Sequence, residues 1–206
     1  MSCHIWLVRH GETDWNLEGR IQGHTDTDLN ENGRLQADRL ATRLRGQRFD
    51  AVYSSDLKRA RDTATPAAQA LNLKVGLEER LRELNFGAYE GLKSADVRAK
   101  HPDWFKRFIS TKPDFEIPDG ESYRQFFDRV VGGLESLAER HPNQRLLVVT
   151  HGGCVSCALR RALPPSEKSR PLAIGNTSVT RIEIEVGEAC VWRLLESEAL
   201  NGALRP

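Results

Sequence analysis

The chain has 206 residues, 29% of them charged, with a formal net charge of +1; that balance gives no long-range field to gather nucleic acid or a membrane surface, so any anion binding has to be local. No run of 18 apolar residues occurs, nor a basic stretch followed by an apolar one at the N-terminus, so neither a membrane span nor a signal peptide is expected. The length suits one sizeable core, no linker-like stretch divides it, and residues 1–206 are expected to form a single domain.

Ile5-Trp6-Leu7-Val8 reads as a buried strand that ends abruptly in Arg9-His10-Gly11. The glycine suits a sharp turn or a close approach of backbone to something else. A cation and an imidazole thus sit at a strand tip, where α/β sheets present ligand sites. Residues 18–29 are polar and glycine-containing, a long loop of the kind that usually has a function. Asn30 is placed to cap a helix carrying Leu35, Ala37, Leu40, Ala41 and Leu44, with Gly46 as its stop.

Asp50–Ser54 is a second strand, and Ser55 or Asp56 is expected to cap a helix running to about Leu71. Arg59 falls near the start of that helix, where a cation is unfavourable unless an anion is present too. Leu73–Val75 reads as a third strand. Glu83 then lies among apolar residues in a segment with two glycines. A half-buried carboxylate there suits a general acid, whereas pairing with Arg80 or Arg82 would make it structural.

Residues 94–110 read as helical, with a break at His101-Pro102 and with Trp104, Phe105 and Phe108 as packing residues. A loop over 111–120 leads into a long amphipathic helix over 121–140, whose apolar face is Phe126, Phe127, Val130, Val131, Leu134 and Leu137. Arg145–Thr150 is the clearest buried strand, and it ends in His151-Gly152-Gly153 at the start of a helix. Free N–H groups after Gly152 can bind an anion together with His151. Cys154-x-x-Cys157 falls in the first turns of that helix and reads as small buried residues. With Cys3 and Cys190 these cysteines form no disulfide framework, which points to a reduced, cytoplasmic protein. Residues 178–186 and 189–195 alternate as two strands joined at Gly187-Glu188, an antiparallel edge that can also pair across a homodimer.

Two apolar strands end in histidine and glycine, and Arg9 and Arg59 lie at strand ends as well. Parallel strands would bring all four groups to one edge. Two histidines, two arginines and a glutamate suit a phosphoryl group: forked donors for its oxygens, an imidazole to attack phosphorus, another to stabilise charge, and a carboxyl group to move a proton. The histidines form no close pair and arginines repel cations, so no metal and no other cofactor is expected.

Leu-Val-Arg9-His10-Gly11-Glu-Thr resembles the signature of the histidine phosphatase superfamily, and the likeness continues in Arg20-Ile-Gln22-Gly23, Ser54-Ser-Asp-Leu-Lys-Arg59-Ala, Glu83, Gly120-Glu121-Ser122 and Thr150-His151-Gly152. The resemblance implies a phosphoglycerate-mutase-like α/β fold: a three-layer α/β/α sandwich whose central sheet is mostly parallel with one antiparallel edge and carries helices on both faces. It implies His10 as nucleophile, Arg9, Arg59, His151 and the adjoining Gly152 around the phosphate, and Glu83 as proton donor. Asn16, Gln22 and Gly23 match pocket-lining positions; Leu84, Asn85 and Phe86 match a substrate-lining segment; Glu121 and Ser122 match a loop near the pocket mouth. Residues 92–122 would form a lid.

Within the family, longer mutases carry an insertion with paired arginines that grip bisphosphoglycerate. Here residues 92–120 are short and contain no adjacent Arg-Arg pair. The chain looks more like the short branch, with its broad-specificity, α-ribazole and glucosyl-3-phosphoglycerate phosphatases. Metal-independent hydrolysis of a small phosphorylated metabolite is therefore the expectation. The alternative is a phosphoglycerate mutase primed by 2,3-bisphosphoglycerate, with Arg98, Lys100, Lys106, Arg107 or Lys112 reaching the second anionic group. A third reading, a phospho-ligand-binding module without turnover, would lack the nucleophile or the acid, and this chain has both. No basic stripe interleaved with aromatics points to nucleic acid.

Overall fold

Strand β1 (Ser2–Arg9) is buried on both faces. Cys3, Ile5 and Leu7 enter one apolar cluster; Trp6 and Val8 enter another. The same split runs along β4 (Arg145–Thr150), with Leu146 and Val148 on the first side and Leu147 and Val149 on the second. Such period-two partition between two apolar layers is what a central strand covered by helices on each face requires.

This computed structural model describes residues 1–103, 106, 116–164 and 172–201. The other strands are β2 (Ala51–Ser54), β3 (Val75–Leu77), β5 (Val179–Glu185) and β6 (Val191–Ser197), and the sheet order is β3-β2-β4-β1-β5-β6. Pairing is parallel from β3 through β1, and β5 runs antiparallel to both β1 and β6. Helices α2 (Glu31–Leu44) and α3 (Lys58–Ala70) bury Leu40, Leu44, Ala60, Ala64 and Ala67 against the Trp6 face. On the Ile5 face, α5 (Tyr123–Arg140) and α6 (Gly152–Ala162) bury Phe126, Val130, Leu134, Cys154, Cys157 and Leu159. The other described helical residues lie in the short helices α1 (Asp14–Leu17), α4 (Ser94–Lys100) and α7 (Glu198–Asn201), at 102, 103 and 106, and in single 3₁₀ turns. The architecture is the three-layer α/β/α sandwich with a mostly parallel sheet and an antiparallel edge.

From β1 the chain crosses by α2 over β4 to reach β2; from β4 it crosses by α6, on the other face, over β1 to reach β5. The chain therefore leaves the adjacent strands β1 and β4 in opposite directions. That reversal opens a crevice beyond their carboxyl ends, where α/β sheets bind ligands.

Two caps follow the sequence directly. Asn30 accepts from the Gly33 N–H at 2.8 Å to start α2, and Ser122 caps α5 in a reciprocal box with Gln125. Other boundaries differ. Helix α3 starts at Lys58 without a cap from Ser55 or Asp56: the Ser55 hydroxyl bonds His151, Asp56 pairs with Arg82, and the Lys58 N–H donates to Asp26 Oδ1 at 2.7 Å instead. The third strand is 75–77 rather than 73–75: Leu73 packs against the Trp6-face cluster, and Val75 is the first residue to pair with β2. The 94–110 stretch breaks at His101-Pro102 as expected: α4 ends at Lys100, His101 leaves the helix, and Pro102 and Asp103 are helical again; Trp104, Phe105 and Phe108 lie outside the described residues. The cysteines are free thiols, and burial pushes the Cys154 thiol up to about 12, as an inert packing residue requires.

Candidate active site

Arg9 and Thr150 are register partners, so the chain carries His10 and His151 past adjacent strand ends together. Their ring centroids lie 5.2 Å apart. His10 is 3% exposed and His151 fully buried. The His10 amide donates to Thr150 O at 2.8 Å, which fixes the tip. Its ring Nδ1 lies 2.7 Å from Gly11 O. A carbonyl only accepts, so the neutral ring carries its proton on Nδ1 and its lone pair on Nε2. Burial, then the Arg59 and Arg9 guanidiniums, hold the His10 pKa well below the ordinary imidazole value. Gly11 does not turn the chain; a Cβ there would lie 2.6 Å from Gly33 O, so its role is a close pass against the first turn of α2.

His151 Nε2 lies 2.9 Å from Ser55 Oγ, and its Nδ1 is buried without a hydrogen-bond partner among the described residues. Arg9 donates from Nη1 to Ile174 O at 2.7 Å. Arg59, fully buried, donates to Thr25 O at 2.9 Å and Gly23 O at 2.8 Å, so the cation that stood uncompensated near a helix start ties down the 18–29 loop. The Nε atoms of both arginines are buried and unpartnered among the described residues. Such orphaned donors call for an acceptor that the protein does not supply.

The amides beside them are preset. Asn16 Oδ1 accepts from the Thr13 N–H at 3.1 Å and from Asn176 Nδ2 at 3.4 Å. Gln22 Oε1 accepts from the hydroxyls of Thr27 and Thr13 at 2.8 and 3.1 Å. With both carbonyl ends engaged, each residue keeps an NH₂ group for the cavity of about 210 Å³ that they line. Arg9, His10, Arg59, Glu83, Gly23 and Phe86 line it too, and Ile21 and Ser94 complete it. The set is rich in N–H donors and suits a tetrahedral oxyanion.

Glu83 is not paired with its neighbouring arginines: Arg80 holds Glu78, and Arg82 holds Asp56. Its Oε1 accepts from the Leu84 N–H at 2.9 Å and its Oε2 from the Gly153 N–H at 3.1 Å. At the start of α6 the Gly153 N–H is thus taken by the protein's own carboxylate. Gly153 is needed for this: a Cβ there would stand 2.1 Å from Glu83 Oε1.

The remaining predicted residues do not line the cavity. Leu84 is in the core. Asn85 and Glu121 bond each other, with the Asn85 N–H 2.8 Å from Glu121 Oε1. Ser122 caps α5, and Gly152 packs beside Arg9. Outside the predicted set, His24 Nε2 lies 2.9 Å from Glu83 O, and Tyr89 packs on His101. Sequence reasoning missed Glu90, whose carboxylate holds the His24 and Thr25 N–H groups at 2.8 Å each, and Arg129, which binds the Glu83 segment. Thr63 was readable as one turn beyond Arg59 on the same face; it accepts from the Gly11 N–H at 2.9 Å. Among the described residues no three His, Cys, Asp or Glu side chains gather as a metal-ligand set.

Known proteins resemble this chain along nearly its whole length. The model of the histidine phosphatase superfamily (branch 1) matches residues 5–196. The chain is 41% identical over 187 residues to phosphoglycerate mutase-like protein 4 of Arabidopsis thaliana, covering 89% of this chain and 80% of that one. It is 37% identical over 182 residues to the probable phosphoglycerate mutase GpmB of Escherichia coli O1:K1, covering 88% and 85%. Among solved structures, a mycobacterial glucosyl-3-phosphoglycerate phosphatase superposes with a TM-score of 0.79 at 31% identity, covering 95% of this chain and 98% of that one.

Proposed function

The chain belongs to the histidine phosphatase superfamily, and from that premise we propose that it hydrolyses a phosphomonoester of a small metabolite through a phosphohistidine on His10, with neither metal nor organic cofactor. The observation that carries the reading is the His10 ring: Nδ1 is held by Gly11 O at 2.7 Å, and the lone pair on Nε2 belongs to a residue lining the donor-rich cavity. Attack by Nε2 forms the N–P bond as the ester P–O bond breaks, and protonated Glu83 gives its proton to the departing oxygen. Water then attacks the phosphohistidine and passes a proton to the Glu83 carboxylate, which releases inorganic phosphate and restores both groups. Arg9, Arg59, Asn16 and Gln22 hold the phosphoryl oxygens, and His151 adds its Nδ1. The unpartnered buried Nε of each arginine supports an anion as what completes the pocket. Two guanidiniums already supply the positive charge, which supports a metal-free reaction. The free thiols support a reducing, cytoplasmic setting, and among the described residues no helix is long and apolar enough to cross a membrane.

A second reading, phosphoglycerate mutase with 2,3-bisphosphoglycerate as primer, is favoured by the names of the curated relatives. It needs a grip on a second anionic group. Arg98 on α4 lines a surface groove that shares Ser94 with the cavity; Arg107 and Lys112 lie outside the described residues. The deciding assay uses 3-phosphoglycerate in EDTA with trace 2,3-bisphosphoglycerate, alongside p-nitrophenyl phosphate. Phosphate release without 2-phosphoglycerate is the expected result. Isomer formed faster than phosphate would make the protein a mutase, and absence of both products with either ester would overturn an enzymatic reading on these substrates.

A further inference from the structure

Arg129 lies on α5 and does not line the cavity, yet each of its five N–H donors has a partner. Nη1 reaches Arg80 O at 2.9 Å and Arg82 O at 2.7 Å; Nη2 reaches Glu83 O at 2.7 Å and Glu121 Oε1; Nε reaches Glu121 Oε2 at 2.9 Å. Three carbonyls of the 80–83 segment therefore curl around one planar cation. Glu121 extends the grip, since its Oε1 also accepts from the Asn85 N–H at 2.8 Å and its own N–H donates to Asn85 O at 3.2 Å. Glu83 is thus clamped from both directions along the chain. The Phe126 ring, one turn earlier on α5, lies 5.0 Å from the guanidinium carbon. That same ring is 2.9 Å from where a Gly153 Cβ would stand, which puts it between Arg129 and the helix start that holds the Glu83 carboxylate.

We propose that Arg129, seconded by Glu121, is a positioning residue for Glu83: it fixes the backbone from which the carboxyl group reaches the reacting ester oxygen. The inference rests on the reading of Glu83 as proton donor. A guanidinium is suited to the task, because its rigid fork spans five acceptors at once. A lysine ammonium would offer three donors from a single point and leave carbonyls and a carboxylate oxygen unpaired.

If Arg129 acts through the acid, its loss should matter most where the leaving group needs a proton. The test compares kcat/KM for glycerol 2-phosphate, whose alkoxide leaves poorly, with kcat/KM for p-nitrophenyl phosphate, whose phenolate leaves unaided. Glu83→Gln is the reference and is expected to lose about 100-fold on the alkyl ester with a much smaller loss on the aryl ester. A Glu83→Gln variant without that selectivity would overturn the proton-donor reading itself. With the reference selective, Arg129→Lys is expected to lose about 10-fold or more on glycerol 2-phosphate and less than about 3-fold on p-nitrophenyl phosphate. Equal losses on the two esters, or no loss, would overturn the positioning role while leaving Glu83 in place. Should Arg129→Lys not fold, Glu121→Gln keeps the shape of the clamp and removes its charge; the same selective loss, about 3-fold, is expected, and an equal loss on both esters counts against the inference.

Discussion

His10 and His151 face each other at 5.2 Å across the ends of two adjacent strands, and each has one ring nitrogen engaged by the protein: Nδ1 of His10 by Gly11 O, Nε2 of His151 by Ser55 Oγ. Both rings are held well below the ordinary imidazole range, first by burial and next by Arg59. The positive charge of the site therefore rests on the guanidiniums, and the imidazoles are available as a neutral pair.

This pair predicts an acid-side loss of stability. Above the ordinary value of 6.5 both imidazoles are neutral, folded or unfolded, and stability is at its plateau. Below it the unfolded chain takes up protons that the folded chain refuses, so stability falls as pH drops from 6.5 toward the lowered folded values. Denaturant midpoints measured without phosphate at pH 7.5 and 5.5 should show the drop, and a double His10→Asn, His151→Asn variant should flatten it. Equal slopes in the two proteins would remove these histidines as its source.

His10→Ala should abolish turnover, with a fall in kcat of at least about 10⁴-fold, because no other group in the cavity offers a free imidazole lone pair. Circular dichroism should stay native. Labelled substrate quenched in alkali should leave no acid-labile label on the variant, in contrast to the parent. Substantial residual activity in a folded variant would end the nucleophile assignment.

The layers of the fold were legible because they depend on local pattern: the two-sided burial of Ile5–Val8 and of Arg145–Thr150 and the apolar face of 121–140 each follow from a short stretch of chain. So was the meeting of His10 with His151, since parallel central strands share an edge. Partnerships between distant segments were not legible. Nothing near Glu83 says that its carboxylate will take the Gly153 N–H instead of Arg80 or Arg82. Nor does anything in the helical pattern of α5 tell Arg129, which holds three carbonyls fifty residues upstream or so, from a solvated surface arginine. Glu121 was matched to the pocket mouth by likeness alone, whereas its two oxygens belong to Arg129 and Asn85. Asp56 was read as a cap from its position, while the deciding partner, Arg82, lies 26 residues away.

Exhaustive dialysis against EDTA should leave phosphate release unchanged, since the positive charge at the site comes from Arg9 and Arg59. The measurement is the initial rate on p-nitrophenyl phosphate before and after dialysis. A loss restored by added zinc would replace the metal-free reading with a metal-assisted one.

Gly153→Ala should separate activity from stability. In a helix, exchanging glycine for alanine ordinarily gains about 0.5–1 kcal/mol, and Gly132→Ala on α5, where a Cβ meets nothing within 4 Å, should show that gain with full activity. At Gly153 the added methyl stands 2.1 Å from Glu83 Oε1 and 2.9 Å from Phe126 Cζ. The carboxylate is the end of a flexible side chain and yields by swinging off the helix start, whereas Phe126 is packed in the core at 2% exposure. The expected result is a loss of kcat/KM of about 10-fold or more on an alkyl phosphate, with the thermal midpoint displaced by no more than about 4 °C. An active Gly153→Ala enzyme would show that Glu83 works from a position other than the start of α6, and a variant that unfolds would place the cost in the Phe126 contact instead.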